Sequence, residues 1–311
     1  MGKVSSIHLL LFLFICPQIN ASDHASWEYP KARDNGIMPE EHWGENCDQG
    51  RRQSPVDLNI DASVHGIFPA FSFVDYDEPI KDAAILNTGH SLQVNAHPSQ
   101  KMLVMGGGLP GTYVFDQFHF HWGSEHTING RREAVELHIV HHESRFNSLG
   151  EAAKTNRGIA VLGILFHVAA EPNPYIEQIL IASEVVKEHV GRNQSITREL
   201  RLEDFLPKDK SSYFRYEGSL TTPGCFESVV WTVWTNTLPI SIEQVERFKT
   251  LKSEKGQELT HNFRSVKPLG SRALVYVSGE NEKSNGMKKS HHIMVSLAYM
   301  IFHISLLNVF N

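Results

Sequence analysis

An excess of positive charge, a flexible linker and an internal repeat are all missing from this sequence. Lys and Arg total 29 against 35 Asp and Glu, a formal net charge of −6, which argues against a nucleic-acid-binding surface. No Pro-, Gly- or Ser-rich stretch and no low-complexity segment interrupts the middle of the chain. Without its two ends the chain keeps about 260 residues, enough for one large core. The sequence therefore predicts a single domain at residues 22–284, with its core at about 27–278.

Cysteine is also scarce, with three in 311 residues. Cys16 falls in a segment that we expect to be removed, so Cys47 and Cys225 remain. An even pair in an exported protein predicts one disulfide because the compartment is oxidising, and the alternative is two buried free thiols. The sequon that begins at Asn193 (NQS) predicts glycosylation on an exposed loop, although such short motifs often occur by chance.

The N-terminus has the organisation of a secretory signal peptide. Lys3 supplies a positive charge, and Ile7–Cys16 (IHLLLFLFIC) is an apolar run shorter than the roughly 20 residues that span a bilayer. Small residues follow at Ala21 and Ser22, so we predict cleavage after Ala21 and a signal peptide at residues 1–21. The alternative is an uncleaved membrane anchor.

The C-terminus resembles a glycolipid (GPI) attachment signal. Ser284, Asn285 and Gly286 are small, Met287–His292 is a polar spacer, and Ile293–Phe310 is almost entirely apolar. We therefore predict Ser284 as the attachment residue and residues 285–311 as a propeptide, which places the protein on the extracellular face of the plasma membrane. A single C-terminal transmembrane helix is the alternative, for which the length of the apolar run is marginal.

The central region is dominated by predicted strands. The segments rich in β-branched and aromatic residues, each bounded by Gly, Pro, Asn or Ser, are Tyr113–Trp122, Ala134–His142, Ile159–His167, Val229–Thr235 and Arg272–Ser278. Helices are predicted at Tyr175–Val190 from the 3.6-residue apolar period, and at Ser241–Leu251 from a capping box formed by Ser241 and Gln244. The fold class is thus a strand-dominated α+β domain, with a large, mostly antiparallel sheet and a few peripheral helices.

The segment QFHFHWG at residues 117–123 carries two candidate metal ligands. Side chains alternate along a strand, so His119 and His121 point to one face with Gln117 and Phe115, while Phe118, Phe120 and Trp122 line the other. The two histidines lie about 6.5 Å apart along the strand, close enough for both imidazoles to bind one ion.

The next predicted strand supplies a third imidazole. His138 shares a face with Glu136 and Val140, and the turn signal Asn129-Gly130 between the strands predicts a hairpin that brings His138 opposite the first pair. Three neutral histidines with a fourth position open to water form the ligand set of a catalytic zinc site. Structural zinc sites more often have four ligands, commonly including cysteine.

Polar neighbours strengthen the prediction of a zinc site. Zinc-bound histidines pass their other ring N–H to a carboxylate or carbonyl, and Gln117 and Glu136 lie on the same faces, two residues from His119 and His138. The alternative is that these are ordinary core or surface histidines, which an isolated HxH pattern would not exclude.

The chain also resembles a known family, the alpha-class carbonic anhydrases, over roughly residues 27–278. The matching segments are QFHFHWG (117–123), GSEHT (123–127), ELHIVH (136–141), AVLGILF (160–166), GSLTTPGC (218–225), QSPVDL (53–58) and NTGHSLQV (87–94). Their combination is specific, although no single segment is.

The resemblance implies a ten-stranded twisted sheet with Zn²⁺ at the bottom of a conical cleft, and a role for individual residues. His119, His121 and His138 match the zinc ligands, and Gln117 and Glu136 match their hydrogen-bond partners. Thr221 matches the acceptor of a hydrogen bond from zinc-bound hydroxide, Glu125 matches the carboxylate that orients Thr221, and Thr222 matches the second threonine of the cleft floor. His90 matches the proton shuttle, Cys47 and Cys225 match the disulfide of exported members, and the apolar wall for carbon dioxide is matched by Val140, Val161, Leu220 and Trp231.

The implied activity is the reversible hydration of carbon dioxide to bicarbonate and a proton by zinc-hydroxide attack, with sulfonamides as expected inhibitors. The sequence departs from the family pattern in two ways: Thr88 and Gln93 stand where cytosolic members carry asparagine, and the segment before GSEHT is short. These departures would affect rate and cleft shape more than reaction type. His90 would be a surface histidine without a role in the alternative interpretation. An acatalytic binding module would have lost a ligand histidine, and a zinc peptidase would carry H-E-x-x-H, which is absent.

Overall fold

The computed structural model describes residues 27–30, 42–97 and 99–279. None of the helices in these ranges combines the length and apolar character that crossing a membrane requires. The predicted signal peptide at 1–21, the attachment residue Ser284 and the C-terminal propeptide lie outside the described residues.

Short strands and four helices make up the described chain. The strands are β1 Asp57–Leu58, β2 Val64–His65, β3 Ser72–Val74, β4 Ala84–Asn87, β5 Leu92–Asn95, β6 Leu103–Met105, β7 Tyr113–Trp122, β8 Thr127–Ile128, β9 Arg131–Arg132, β10 Val135–Glu143, β11 Ile159–Ala169, β12 Asn193–Ser195, β13 Tyr213–Gly218, β14 Val229–Trp234, β15 Leu238–Ser241 and β16 Val275–Val277. The α-helices are α1 Glu45–Gln49, α2 Leu149–Ala152, α3 Pro174–Ser183 and α4 Ile242–Phe248, and a 3₁₀ helix covers Leu202–Phe205.

Thirteen strands form the main sheet, and ten of them follow one another in the order β12-β4-β5-β7-β10-β11-β14-β13-β16-β2. The pairs β11–β14, β11–β15 and β16–β2 are parallel, and the other pairs of this sheet are antiparallel. A separate three-stranded sheet has the order β1-β8-β9. The prediction of a strand-dominated single domain with a mostly antiparallel sheet is confirmed.

Aromatic burial fixes which face of β7 carries the histidines. Phe118, Phe120 and Trp122 are at most 1% exposed and belong to the larger apolar core. Each such side chain contributes about 1.5–3 kcal/mol when buried, so a one-residue register slip, which would expose all three, would cost several kcal/mol. His119 and His121 are thereby held on the opposite face.

Connections, register and helix ends differ in detail from the sequence predictions. The turn Asn129-Gly130 joins β8 to β9 rather than β7 to β10, although β7 and β10 do pair antiparallel. A bulge breaks the register between Val140 and His141, and Phe115 consequently joins the core that holds Phe118 instead of sharing the histidine face. Helix α3 ends at Ser183, seven residues earlier than predicted, and is followed by turns.

The capping-box prediction for α4 is confirmed. Ser241 Oγ accepts the Gln244 main-chain N–H, and the Gln244 side chain accepts the Ser241 main-chain N–H, so two donors at the helix start are satisfied reciprocally. Gln244 also holds the start of α3, since its amide accepts from Asn173 N and donates to Asn173 O.

Candidate metal centre

The central pair of long strands brings the three histidines together. In the β7–β10 register, His138 lies opposite His119 and Glu136 lies opposite His121. The ring centroids are 5.0 Å apart for His119 and His121, 5.2 Å for His119 and His138, and 4.5 Å for His121 and His138. One nitrogen from each ring can be chosen so that all three lie within 4.8 Å of one another, a spacing at which they could hold a metal ion.

The other nitrogen of each ring already has an acceptor. His119 Nδ1 lies 2.9 Å from Gln117 Oε1, His121 Nδ1 lies 2.7 Å from the main-chain oxygen of Asn262, and His138 Nε2 lies 2.8 Å from Glu136 Oε1. Since a neutral imidazole has one N–H, donation at these atoms leaves a lone pair on the opposite nitrogen of each ring.

This donor set fits a zinc ion. His121 Nε2 is buried and has no hydrogen-bond partner among the described residues, which is costly for a polar atom unless something binds it. Three imidazole nitrogens, each ring oriented by a hydrogen bond at its far side, match the catalytic zinc sites that keep one position open for water.

Burial favours the neutral form of His119 and His121. Removal from water lowers the pKa of His119 and of His121, and in His119 the neighbouring imidazoles lower it further. Neutral imidazole is the form that binds a metal ion, so little proton release is needed for binding near neutral pH.

Glu136 is the centre of a buried hydrogen-bond network. Its Oε1 lies 2.7 Å from His126 Nδ1 and 2.8 Å from His138 Nε2, and its Oε2 accepts the main-chain N–H of His126 at 2.8 Å. From His126 Nε2 the network continues to Tyr216 Oη at 2.6 Å and then to Ser54 Oγ at 2.9 Å. Burial alone would raise the pKa of Glu136, but the adjacent rings of His126 and His138 outweigh it and hold that pKa well below its usual range.

Glu125 lies beside the same rings. Its side chain is fully buried, with Oε1 3.7 Å from His121 Nδ1 and Oε2 4.0 Å from His138 Nδ1. Oε1 accepts the main-chain N–H of Arg264 at 2.9 Å, whereas Oε2 has no hydrogen-bond partner among the described residues. The expected hydrogen bond from Thr221, which is 6% exposed, is not formed in this structure, so that link stays a prediction.

Apolar side chains pack beside His138. Val140, Val161 and Trp231 belong to one buried cluster, with Leu220 packed against it, and the Trp231 ring lies 4.8 Å from the His138 ring. Trp231 Nε1 donates to Ser219 O at 3.1 Å, which fixes the chain just before Leu220 and Thr221. These are the residues predicted to form the carbon dioxide wall.

The loop after β4 carries His90 and is linked to β7 by hydrogen bonds of Asn262. Asn262 Nδ2 donates to His90 O at 3.0 Å and to Phe120 O at 2.8 Å, while Asn262 O accepts from His121. The His90 ring stacks on Trp27, with centroids 3.8 Å apart and planes inclined by 15°. Asn262 is thus hydrogen-bonded to both the predicted proton carrier His90 and the predicted ligand His121.

The remaining predicted residues are the two cysteines, the glycosylation residue Asn193 and Thr222. Cys47 and Cys225 form the predicted disulfide. Asn193 is exposed on β12, an outer strand of the sheet, rather than on a loop. Cys225 N donates to Thr222 O at 3.0 Å, which closes the turn that follows Thr221.

Sequence reasoning missed three contributors to the centre. Asn262 acts on His121 through its main-chain oxygen, and a carbonyl leaves no signature in the side-chain pattern. His126 lies within the GSEHT motif, but only the fold shows that it contacts Glu136. Trp27 is 63 residues from His90 in the chain, and no periodic pattern connects them.

The fold and the donor set define a three-histidine site of the kind found in zinc enzymes, carried on a large twisted sheet. The eukaryotic-type carbonic anhydrase family matches residues 38–278. Carbonic anhydrase 6 of Bos taurus is 32% identical over 280 residues, which cover 85% of this chain and 83% of that protein. Carbonic anhydrase 4 of Oryctolagus cuniculus is 32% identical over 268 residues (82% and 85%), and putative carbonic anhydrase 3 of Caenorhabditis elegans is 32% identical over 238 residues (73% and 91%).

The chain therefore belongs to the eukaryotic-type carbonic anhydrase family. It is accordingly a carbonic anhydrase, a lyase that interconverts carbon dioxide and bicarbonate.

Proposed function

We propose that the enzyme hydrates carbon dioxide at a zinc ion held by His119, His121 and His138, on the extracellular face of a membrane to which a GPI anchor attaches it. The observation that carries the zinc assignment is the buried His121 Nε2, which lacks a partner among the described residues and faces the two other rings. The anchor and the secretory route rest on the sequence signals at the two ends.

A bound zinc ion would supply a nucleophile at neutral pH, because it lowers the pKa of a coordinated water to about 7, carbonic anhydrases being the established example. Gln117, Asn262 and Glu136 orient the three rings so that their free nitrogens converge. The apolar side chains of Val140, Val161 and Trp231 exclude water from the place where carbon dioxide would rest.

Thr221 and Glu125 would select the reacting oxygen. A threonine hydroxyl has a single hydrogen, and if that hydrogen is donated to the free Oε2 of Glu125, the Thr221 oxygen can only accept. Such an acceptor favours a protonated oxygen nucleophile and aims its lone pair. The hydrogen bond from Thr221 to Glu125 is part of the proposal.

His90 would carry the released proton from the cleft to the solvent. Its side chain is 16% exposed, so the ring has contact with the solvent. Imidazole is the side chain whose ordinary pKa lies closest to neutrality, which suits it to accept and release a proton in each turnover.

Zinc content and stopped-flow carbon dioxide hydration, measured with and without a sulfonamide, test the proposal. Replacing His119 with Ala should abolish zinc retention and hydration together, with the circular dichroism unchanged. His167→Ala is the matched control, because His167 is an exposed histidine on β11, and it should retain both properties. A His119→Ala variant with full zinc and near-normal turnover would overturn the ligand assignment.

Anchoring has its own test. Release of the protein from intact cells by phosphatidylinositol-specific phospholipase C would support the GPI anchor, whereas retention with detergent-only release would favour a transmembrane helix.

A further inference from the structure

The ring of His90 lies in a polar recess formed by two segments distant in sequence. Trp27 covers one face of the ring, and Glu254 approaches its edge, with His90 Nε2 3.9 Å from Glu254 Oε1. Trp27 itself packs edge-on against Tyr29 and Trp43 at 5.0 Å, so the platform under His90 is held by other rings. The ring is therefore confined, and Nε2 has a defined neighbour.

Three carboxylates surround this recess, and they differ in their partners. Glu28 accepts a 2.8 Å hydrogen bond from Lys255 Nζ, and Glu258 is paired with Lys252 Nζ at 3.4 Å. Glu254 forms no ion pair with a lysine or arginine within the described part of the chain, and its only charged partner there is His90. The other titratable groups lining the recess are Tyr29 and His261.

The electrostatics of the recess act in two directions. Burial is the largest influence and lowers the pKa of His90, because the charged ring loses water. The negative charges of Glu254 and Glu28, in that order, oppose this effect by stabilising the protonated ring. Glu28 is paired with Lys255, whereas Glu254 has no lysine or arginine partner among the described residues. The negative charge of Glu254 near His90 is therefore not offset by a paired lysine.

We propose that Glu254 is a positioning residue for proton release: it orients Nε2 of His90 toward the solvent and stabilises the imidazolium until the proton leaves. The inference rests on the proposed function, because it assumes that His90 carries protons. A separation of 3.9 Å exceeds a direct hydrogen bond, so the contact is electrostatic, and the 45% exposed Glu254 side chain is free to approach the ring once it is charged. In each turnover the Nε2 proton passes to water or a buffer base, and the ring returns to its neutral form.

The first test measures how Glu254 affects the pKa of His90 and does not depend on enzyme activity. The His90 ring would be titrated by NMR in the zinc-loaded protein expressed from the full chain, with its signals assigned from their loss in His90→Gln. Glu254→Gln should lower the His90 pKa by a few tenths, the size that an exposed ion pair supports. Glu254→Asp should restore most of that change. The matched control, Glu258→Gln, removes the same charge from the same loop and should leave the titration as in the wild type.

The second test separates proton transfer from the chemical step. In dilute buffer, Glu254→Gln should lower kcat about twofold while kcat/KM stays constant, and added imidazole buffer should restore kcat. If the pKa of His90 were unchanged in Glu254→Gln, the proposed electrostatic effect of Glu254 on His90 would be refuted. A lowered pKa with unchanged kcat would overturn the role in proton release. If the wild type showed no hydration activity, the proposed function would fail, while the NMR titration would still decide whether Glu254 acts on His90.

Discussion

Replacing Glu136 with glutamine probes the network that orients His138. The carboxylate accepts three hydrogen bonds, two at Oε1 from His126 Nδ1 and His138 Nε2, and one at Oε2 from the main-chain N–H of His126. Glutamine keeps the shape but turns one of these two acceptors into an N–H donor. Neither orientation of the amide satisfies all three donors.

Each orientation has a distinct cost. If the amide nitrogen takes the place of Oε2, it faces the main-chain N–H of His126, and a buried donor without an acceptor costs about 1–3 kcal/mol. If it takes the place of Oε1, His138 must move its proton to Nδ1, which removes the lone pair that would bind zinc. Partners of this kind change metal affinity by roughly 10–100-fold, equivalent to about 1.4–2.7 kcal/mol.

The assay is zinc competition with a chromophoric chelator, paired with urea unfolding of the metal-free protein. Glu136→Gln should raise the zinc Kd within that 10–100-fold range and lower the free energy of unfolding by about 1–3 kcal/mol. Glu133→Gln is the control, because Glu133 is a partly exposed carboxylate just before β10, whereas Glu136 is fully buried.

A zinc Kd within threefold of the wild type would refute the reasoning, since it would mean that the acceptor at Oε1 does not decide the tautomer of His138. A large loss of stability with unchanged zinc affinity would also count against it, because the network would then support the fold but not the ligand.

Four further changes have defined expectations. Thr221→Ala should slow carbon dioxide hydration in stopped flow while zinc content by atomic absorption stays stoichiometric, and loss of zinc would contradict the assigned role. His90→Ala should lower kcat in dilute buffer and recover with added imidazole, whereas unchanged turnover would show that His90 carries no protons. Burial lowers the pKa of His141 from 6.5 to about 3, so on acidification the unfolded chain binds a proton there before the folded protein does. The free energy of unfolding should therefore fall as the pH drops below 6.5, by about 2 kcal/mol at pH 5, and urea unfolding of His141→Gln should show a smaller decline. The double variant Cys47→Ser/Cys225→Ser, which opens a link across 178 residues, should lose about 2–5 kcal/mol of unfolding free energy, and a loss below about 1 kcal/mol would contradict the estimate.

The strand pattern alone predicts most of the centre, without any tertiary contact. Alternation along residues 117–122 separates His119 and His121 from three aromatic residues, and the burial of those aromatics enforces the same separation in the fold. The capping box at Ser241 and the disulfide between Cys47 and Cys225 were likewise predictable, because a cap is a local interaction and two cysteines allow a single pairing.

Other features depended on contacts between distant segments. The bulge after Val140 turns Phe115 into the core, and no alternating pattern predicts where an extra residue will interrupt a ladder. The main-chain oxygen of Asn262 reaches His121 across 141 positions, and Glu254 reaches His90 from a different loop.

The sequence by itself determined which residues could bind a metal, since the residue types and their two-residue period are local properties. Only the tertiary structure decided which ring nitrogen is free to bind and which neighbour sets the charge on His90. Those properties follow from acceptors and carboxylates that the fold brings in from remote parts of the chain, and their positions follow from the packing of the whole sheet.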